Sequence, residues 1–540
     1  MDETRSIIDR DIDRLQGSIR NLEDSIQALK SRRNALSPIS RLPVEILCNI
    51  FSLSILCSPV CPESWTNFSQ VSHHWRSLAL GAPELWTNIP LRYSCWAQEM
   101  LIRSKRAKLT IRSEISFATP QKKTIETTRS CLYEMNRVEA IDIFCGISPL
   151  ILEEIFRDLP KSAPQLRTLC IKSCYPGTPF LIGEDFLDDT ERLQHVDLLN
   201  CKISWGSRLL TGLTRLTLEI WNSSKANSSI NQFLHALQRM PALTELCLKD
   251  SIPDDSEGLS TYPVVDLPCL RLLNISSGVG SLTTVLRHIT FPHSTILSLT
   301  CKEKRYTEID FTNFLSVLAT KFLSSFVFRS LSLRGFEIID NAVTHALEFC
   351  FWTTANIRDC LPFSDISQSQ LQLVLTWSAL RQPERRYVKA LTSLLDAISF
   401  SFLTQLKISN FDYFDTRTWV KTFGKLPLLE RVCIQSNAIN CFLDALVYKT
   451  KAAEKSITAY RSFAFPKLRY ISLEDTNFDY GATSFEMLLD CLVERNAKIQ
   501  ELRLDRCRCI SPNDVAKLKG IVDDVIWDGA DSDGADSDED

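Results

Sequence analysis

Hydrophobic residues at the start of the chain follow a heptad pattern. Within residues 1–36, isoleucine and leucine alternate at steps of three and four residues. The seam residues are Ile8, Ile12, Leu15, Ile19, Leu22, Ile26 and Leu29. This spacing predicts one long helix with an apolar seam. Because isoleucine occupies the a positions and leucine the d positions, the seam favours weak self-association as a parallel two-stranded coiled coil. The alternative is a helix that folds back onto its own chain or stays partly frayed.

Residues 38–86 carry two shorter stripes of apolar residues at helical spacing. The stripes consist of Ile46, Leu47, Ile50 and Phe51, and of Val71, Trp75, Leu78 and Ala79. Pro43 suits the start of the first helix, and Pro83 ends the second. A few helices totalling under ~50 residues cannot bury this much apolar surface among themselves. Part of it must therefore contact the rest of the chain or another protein.

From residue 138 to 522 a third pattern recurs, with apolar residues at the first, fourth and sixth positions of each unit. The clear copies are Val138-Ile141-Ile143, Leu166-Leu169-Ile171, Leu193-Val196-Leu198, Leu213-Leu216-Leu218, Leu243-Leu246-Leu248, Leu270-Leu273-Ile275, Leu403-Leu406-Ile408, Leu429-Val432-Ile434, Leu468-Ile471-Leu473 and Ile499-Leu502-Leu504. Weaker copies lie at Leu297-Leu299, Leu331-Leu333 and Leu373-Leu375, within or beside a stretch, 305–400, whose repeats the pattern does not assign. Helical connectors are predicted at residues 149–159, 230–240 and 485–495. Stacked units of this kind predict an α/β fold, a curved parallel sheet with helices on its convex side and one shared leucine core.

The segments on either side of the repeats carry weaker signals. Residues 87–137 are interpreted as a connecting segment, with short extended pieces at Asn88–Leu91 and Leu109–Ile111 and a helix between them at Ala97–Arg106. Residues 523–540 contain nine acidic residues and no lysine or arginine, so we expect a disordered acidic tail. The whole chain of 540 residues is 44% hydrophobic and 23% charged, with a net charge of −4, as is typical of folded protein. No basic patch indicates nucleic-acid binding, and no apolar run is long enough for a membrane span.

The cysteines indicate the cellular compartment, and the absence of catalytic motifs argues against an enzyme. The 19 cysteines are odd in number and not regularly spaced, and the N-terminus is charged from Asp2 onward. We therefore expect reduced thiols in the cytoplasm or nucleus. No P-loop, nucleotide-binding glycine motif, nucleophile elbow or zinc-protease motif is present, so we expect no catalytic residue, no metal and no cofactor. An enzyme site hidden within residues 305–400 is the alternative.

Residues 38–86 resemble a known module. LPVEIL followed by IF, then QVSHHWRSLA and PELW, occur in the order found in the F-box, a three-helix module that docks on the Skp-type adaptor of cullin-based SCF ubiquitin ligases. Ser72 stands where the family often has cysteine. The resemblance implies that the first helix and part of the last contact the adaptor. The implied adaptor-binding residues are Leu42, Pro43, Ile46, Leu47, Ile50, Val71, Trp75 and Leu78.

The repeats resemble the irregular leucine-rich repeats that often follow an F-box, and the heptad helix before the module resembles the front end of fungal F-box proteins. In such repeats the residues between the leucines face the concave side, which implies a surface for a protein substrate of unknown identity. The implied substrate-binding residues are His195, Asp197, Arg215, Glu219, Glu245, Lys249, Lys407, Arg431, Tyr470, Glu474, Arg503 and Asp505. Their alternating charges favour a mixed-charge protein partner. The function implied is that of a non-catalytic substrate-recognition subunit of an SCF-type ligase; a leucine-rich scaffold without degradation is the alternative.

Overall fold

The chain divides into two compact units in a computed structural model. Unit 1 comprises Met1–Ile203 with Ser207–Leu209, and unit 2 comprises Ser204–Gly206 with Leu210–Asp540. The structure describes residues 2–57, 67–91, 94–118, 121–221, 229–254, 262–302, 311–322, 326–339, 343–354, 369–378, 388, 391–394, 398, 400–411, 414–435, 439–450, 462–478, 485–495 and 499–529.

Unit 1 begins with helices and continues with short strands. Its helices are α1 (Asp2–Ala35), α2 (Val44–Cys57), α3 (Phe68–Val71), α4 (His73–Gly81), α5 (Ser94–Arg103), α6 (Gln121–Leu132) and α7 (Pro149–Phe156), with 3-10 turns at Pro38–Arg41, Pro83–Trp86 and Met135–Arg137. Its strands are β1 (Asn88–Pro90), β2 (Leu109–Ile115), β3 (Val138–Cys145), β4 (Thr168–Ser173), β5 (Phe180–Ile182), β6 (His195–Leu199) and β7 (Cys201–Ile203). Strands β1, β2, β3, β4 and β6 pair in that order, all parallel, and β5 pairs with β7.

Unit 2 repeats the alternation of strand and connector. Its strands are β8 (Arg215–Glu219), β9 (Glu245–Lys249), β10 (Val265–Asp266), β11 (Leu272–Gly278), β12 (Ile289–Thr290), β13 (Ile296–Lys302), β14 (Ser330–Ile339), β15 (Val343–Trp352), β16 (Leu371–Ser378), β17 (Gln405–Ser409), β18 (Arg431–Gln435), β19 (Lys449–Thr450), β20 (Ser462–Phe463), β21 (Tyr470–Glu474), β22 (Glu501–Asp505) and β23 (Asp524–Trp527). Its helices are α8 (Ile230–Gln238), α9 (Val279–His288), α10 (Thr312–Lys321), α11 (Thr416–Thr422), α12 (Ile439–Leu446), α13 (Phe485–Arg495) and α14 (Pro512–Lys519). The three helical connectors predicted from the sequence are thus confirmed as α7, α8 and α13.

The apolar positions of the repeat form continuous buried rows. In every clear copy the last two apolar residues lie in a strand and face the core. Parallel pairing sets them side by side, as in the register Leu216–Leu246–Leu273–Leu297 of unit 2. These side chains are fully buried. Because each strand buries its leucines against those of the next strand, the core depends on stacking and not on any single unit.

A second regularity follows the strands. The residue directly after β6, β9, β17, β21 and β22 adopts a left-handed conformation, with φ of 50°, 51°, 50°, 51° and 49°. These residues are Asn200, Asp250, Asn410, Asp475 and Arg506. Asparagine and aspartate tolerate this conformation better than most residues, so the same tight turn can end strand after strand.

The expectation of an all-parallel sheet is wrong in one region of unit 2. The weaker copies at Leu297-Leu299, Leu331-Leu333 and Leu373-Leu375 do form strands, but the sheet order there is β13, β16, β15, β14, β17. Strand β15 is antiparallel to both neighbours. Its residues are mostly buried and pack at the same level as the leucine rows, for example Phe349 between Leu333 and Leu373.

Two predicted boundaries also need correction. The extended pieces and the helix predicted within residues 87–137 are confirmed as β1, β2 and α5, but the segment is not merely a connector, because its strands join the parallel sheet of unit 1. The predicted tail begins too early, because β23 pairs in parallel with β22, and Val525 is buried against Leu502. Burial of this apolar segment outweighs the surrounding acidic charge. Residues 530–540 of the predicted tail lie outside the described residues.

The heptad helix is confirmed as a single element, α1. Every seam residue is at least 45% exposed, and Leu29 reaches 67%. The seam therefore does not fold back onto the described part of its own chain.

Candidate functional site

Helix α2 has two adjacent apolar faces, only one of which is covered. Leu47, Phe51 and Ile55 recur at steps of four residues and are at most 8% exposed. Ile46 and Ile50, together with Leu42 two residues before the helix, form a second stripe at the same spacing and are 36–45% exposed. A helix in a small domain buries one apolar stripe in the core of that domain. The second stripe of α2 therefore does not contribute to that core.

The covered face builds an aromatic core. Phe51 stacks on Phe68 with ring centroids 4.6 Å apart and contacts Trp75 at 5.0 Å. The hydroxyl of Ser72 accepts a hydrogen bond from the Trp75 backbone N–H at 3.1 Å and so caps α4. The buried Trp86 donates its indole N–H to the Ala79 carbonyl at 2.7 Å. These contacts fix α2, α3 and α4 in one small domain.

The structure separates the predicted adaptor-binding residues into two groups. Leu42, Pro43, Ile46, Ile50 and Val71 are exposed, with Val71 at 56%. We call these five residues the docking stripe.

The other predicted adaptor residues belong partly or wholly to the core. Trp75 and Leu78 are intermediate in exposure, and Trp75 packs on Phe51. Leu47 is fully buried, so its prediction as an adaptor contact is wrong for this conformation. Helical periodicity places Leu47 beside Ile46 but does not say which flank of the stripe is covered. The structure also exposes Leu53, at 61%, which continues the stripe and was missed.

The predicted substrate-binding residues of unit 1 form one small cluster. His195 and Asp197 alternate along β6 with buried residues, and both are partly exposed. The Lys172 amine lies 3.0 Å from the Asp197 carboxylate. This hydrogen bond raises the pKa of Lys172. Burial raises the pKa of the neighbouring Cys170 thiol, so it is not an activated nucleophile.

In the first strands of unit 2 the predicted residues pair with each other. Arg215 lies 3.2 Å from Glu245, and Lys249 lies 2.9 Å from Glu219, so two opposed ion pairs join β8 and β9. Burial alone would raise the pKa of Glu219, but hydrogen bonds from Lys249 and Trp221 lower it. These pairs are largely exposed and leave their outer surfaces open to a partner.

In the later strands of unit 2 the pairs span alternate strands. The Lys407 amine on β17 reaches across β18 to the Glu474 carboxylate on β21 at 2.9 Å, and the Cys433 thiol lies 3.0 Å from the other Glu474 oxygen. Glu474 is 3% exposed. Its prediction as a surface contact is therefore wrong, because Lys407 and Cys433 enclose it.

A second ion pair, between Arg431 on β18 and Glu501 on β22, spans the intervening strand β21. Arg431 on β18 lies over the ring of Tyr470 on β21 at 4.2 Å and reaches Glu501 on β22 at 3.4 Å. Arg503 lies 2.7 Å from Asp505 on the same strand. The arginine and tyrosine side chains remain partly exposed, so they are the accessible groups of this region.

Sequence reasoning missed the charged residues that follow the strands. Arg506 contacts Asp475 at 2.6 Å, and Lys302 forms an ion pair with Asp250. Asp250, Asp475 and Arg506 all occupy the left-handed turn position. The sequence did contain a signal for these turn residues, because each of the three directly follows the last residue of a predicted repeat strand. The hydrogen bond from Arg506 lowers the pKa of Asp475.

The described part of the chain has neither a metal-binding cluster nor a membrane-spanning helix. No group of three or more histidine, cysteine, aspartate or glutamate residues there could hold a metal ion. Among those same residues, no helix combines the length and the apolar character that a bilayer crossing requires.

Comparison with known proteins identifies the N-terminal domain. Residues 39–92 match the family model described as F-box-like, which corresponds to α2–α4, the following 3-10 turn and β1. This match covers about a tenth of the chain and agrees with the predicted module at 38–86. No curated protein matches the sequence.

A search of solved structures finds a distant likeness. The chain is similar to the crystal structure of the Rad7 and Elc1 complex in yeast, with 14% sequence identity and a TM-score of 0.25, over 77% of this chain and 92% of that one. A TM-score of this size does not establish a common fold.

Proposed function

We propose that the chain is the substrate-recognition subunit of an SCF-type cullin ubiquitin ligase, acting in the cytoplasm or nucleus. The F-box-like domain docks on a Skp-type adaptor, and ubiquitin is transferred by partner proteins. The observation that carries the proposal is the docking stripe, which the F-box-like domain leaves exposed after its own core is complete. Docking would remove this apolar surface from water, which is the main driving force of such association.

We further propose that the parallel strands of both units are leucine-rich repeats and that their polar face binds a protein substrate. The buried leucine rows and the recurrent left-handed turn support this interpretation. The accessible groups on that face include Arg215, Arg431, Tyr470 and Arg503. Arginine and tyrosine are enriched where binding energy is concentrated in protein interfaces. Since acidic residues lie beside them, a partner with both charge signs fits this face better than a polyanion.

The adaptor interaction is tested by co-purification of the full chain with a Skp-type adaptor. Leu42→Asp combined with Ile46→Asp should weaken binding at least about 100-fold, because a charge buried in a dry interface is costly. The matched control is His73→Asp combined with Ser77→Asp, which adds the same charge at exposed polar positions of α4, on the side of that helix opposite Trp75.

The outcomes separate docking from folding. Loss of binding in the stripe variant alone, with an unchanged melting temperature, supports the proposal. Binding that survives in the stripe variant, or is equally lost in the control, contradicts it. A second measurement distinguishes a ligase receptor from a scaffold. If a protein captured by the chain is degraded only when the docking stripe is intact, the chain acts as a ligase receptor.

A further inference from the structure

An extended apolar surface that no other described residue covers lies on α1. All residues from 5 to 33 are exposed except Gly17, which is intermediate. The seven seam residues, from Ile8 to Leu29, form a single stripe, with exposures from 45% to 67%. At a rise of 1.5 Å per residue the stripe is about 32 Å long. An amphipathic helix of this kind is stabilised when its apolar face is covered.

The residue types along the seam indicate what covers it. Ile12, Ile19 and Ile26 occupy the a positions, and leucine follows at each d position. β-branched residues at a with leucine at d pack best in a parallel pair of helices, because the side chains at the two positions enter their holes at different angles. A stripe built for an unrelated surface would not need this alternation.

We propose that α1 pairs with α1 of a second copy of this chain as a parallel, in-register coiled coil. This inference does not rest on the proposed function, because no residue of the F-box-like domain takes part in it.

The flanking positions do not oppose such pairing. In a parallel pair each g residue lies opposite the next e residue of the partner helix. The resulting neighbours are Asp11 with Gln16, Ser18 with Glu23, and Ser25 with Lys30. None of these is a pair of like charges. Gly17 falls at an f position on the outer side, so it weakens the helix but does not interrupt the seam.

Pairing in this orientation has a structural consequence. Helix α1 ends at Ala35, and the F-box-like domain begins at residue 39. A parallel pair therefore holds two F-box-like domains at the same end of the coiled coil. A substrate with two recognition sites would then bind with a raised effective concentration.

Sedimentation equilibrium of the full chain tests the proposal. We expect a mass of twice 61.5 kDa at micromolar concentration. Ile12→Glu combined with Ile19→Glu should raise the dissociation constant at least about 100-fold, because two charges enter each apolar layer. Asn21→Glu combined with Ala28→Glu adds the same charge at c positions, away from the seam, and should leave the mass unchanged. A monomer in the unsubstituted chain, or a dimer that survives in the seam variant, overturns the proposal.

Disulfide formation tests the orientation. In a parallel pair the two Leu29 positions face each other, so Leu29→Cys should form a covalent dimer that the unsubstituted chain, with its native cysteines, does not. In an antiparallel pair the same positions would lie about 30 Å apart, beyond the reach of a disulfide. A dimer without this cross-link overturns parallel pairing.

The seam variant also separates this inference from the proposed function. Ile12→Glu with Ile19→Glu should still bind a Skp-type adaptor, since the docking stripe is intact. Loss of the dimer with retained adaptor binding supports two independent surfaces, whereas loss of both contradicts that independence.

Discussion

The buried ion pair between Lys407 and Glu474 makes a sharp prediction about stability. The Glu474 side chain is 4% exposed and that of Lys407 is 13% exposed, so water screens this pair poorly. Lys407→Met keeps much of the side-chain stem and removes the amine. The carboxylate then remains buried without the cation that faces it. Breaking one half of a buried pair typically costs about 3–5 kcal/mol.

The predicted cost of Lys407→Met comes from leaving the Glu474 carboxylate buried without its cation. A double variant that removes both charges tests this explanation. When Glu474→Leu is added to Lys407→Met, both charges disappear and apolar groups of similar volume replace them. Such replacements are often neutral or stabilising, so the double variant should lie within about 1 kcal/mol of the unsubstituted chain. The exposed pair Arg215–Glu245, with side-chain exposures of 55% and 39%, serves as the control. Arg215→Met should cost less than about 1 kcal/mol.

Thermal unfolding followed by circular dichroism measures these differences. Unit 2 contains about 330 residues, and at ~2.1 cal/mol/K per residue its unfolding entropy is roughly 0.7 kcal/mol/K. Lys407→Met should therefore lower the melting temperature by roughly 4–7 °C, and Arg215→Met by about 1 °C or less. Equal melting temperatures for Lys407→Met and Arg215→Met would refute the reasoning, as would a double variant less stable than Lys407→Met.

Two further predictions concern the end of unit 2. The lowered pKa of Asp475 means that the folded state binds fewer protons there than the unfolded state, so the stabilisation is present above pH ~4 and is lost as pH falls through the folded pKa. The melting temperatures of Asp475→Asn and the unsubstituted chain should thus converge in acid, and a constant gap from pH 7 to pH 3 would contradict this account. Truncation after Asp523 removes β23 and should lower the melting temperature by several degrees, because Leu502 and Leu504 lose their neighbours. Truncation after Gly529 removes only alanine, glycine, serine and acidic residues and should have no effect; equal melting temperatures for the two truncations would show that β23 does not stabilise unit 2.

Much of the fold follows from local patterns that a single sequence displays. The alternation of Leu246 and Leu248 with less apolar residues predicts a strand with one buried face, as β9 has. Strand β15 escaped prediction because its sequence, with Phe349 and Phe351 on one face, lacks the spacing of the other copies. Its direction follows from antiparallel pairing with β14 and β16, its neighbours in sequence, and the repeat pattern carries no signal for such a reversal. Strand β23 was obscured because its apolar residues are few and lie among aspartates.

The candidate sites were predictable to different degrees. Helical spacing identified the apolar residues of α2 but could not distinguish Leu47 from Ile46, because the choice depends on where Phe68 and Trp75 pack. Alternation along the strands identified the polar face. It did not reveal that Lys407 reaches over one strand to Glu474, since that contact depends on strand order and side-chain direction together.

The reversed strand β15 has a consequence for how unit 2 folds. Elsewhere in the sheet of unit 2 each strand pairs in parallel with one that is 23 to 39 residues away, as Leu273 does with Leu297. Where the group β14, β15 and β16 joins the rest of the sheet, the parallel partners are much more distant, since Leu297 on β13 pairs with Leu371 on β16 and Leu331 on β14 pairs with Leu406 on β17. Closing loops about three times longer costs roughly 1 kcal/mol more in chain entropy for each closure. Folding that spreads from one repeat to the next would therefore pause here until β14, β15 and β16 assemble together. The assembly of these three strands, the least regular part of the sequence, should therefore be the slowest step in the folding of unit 2.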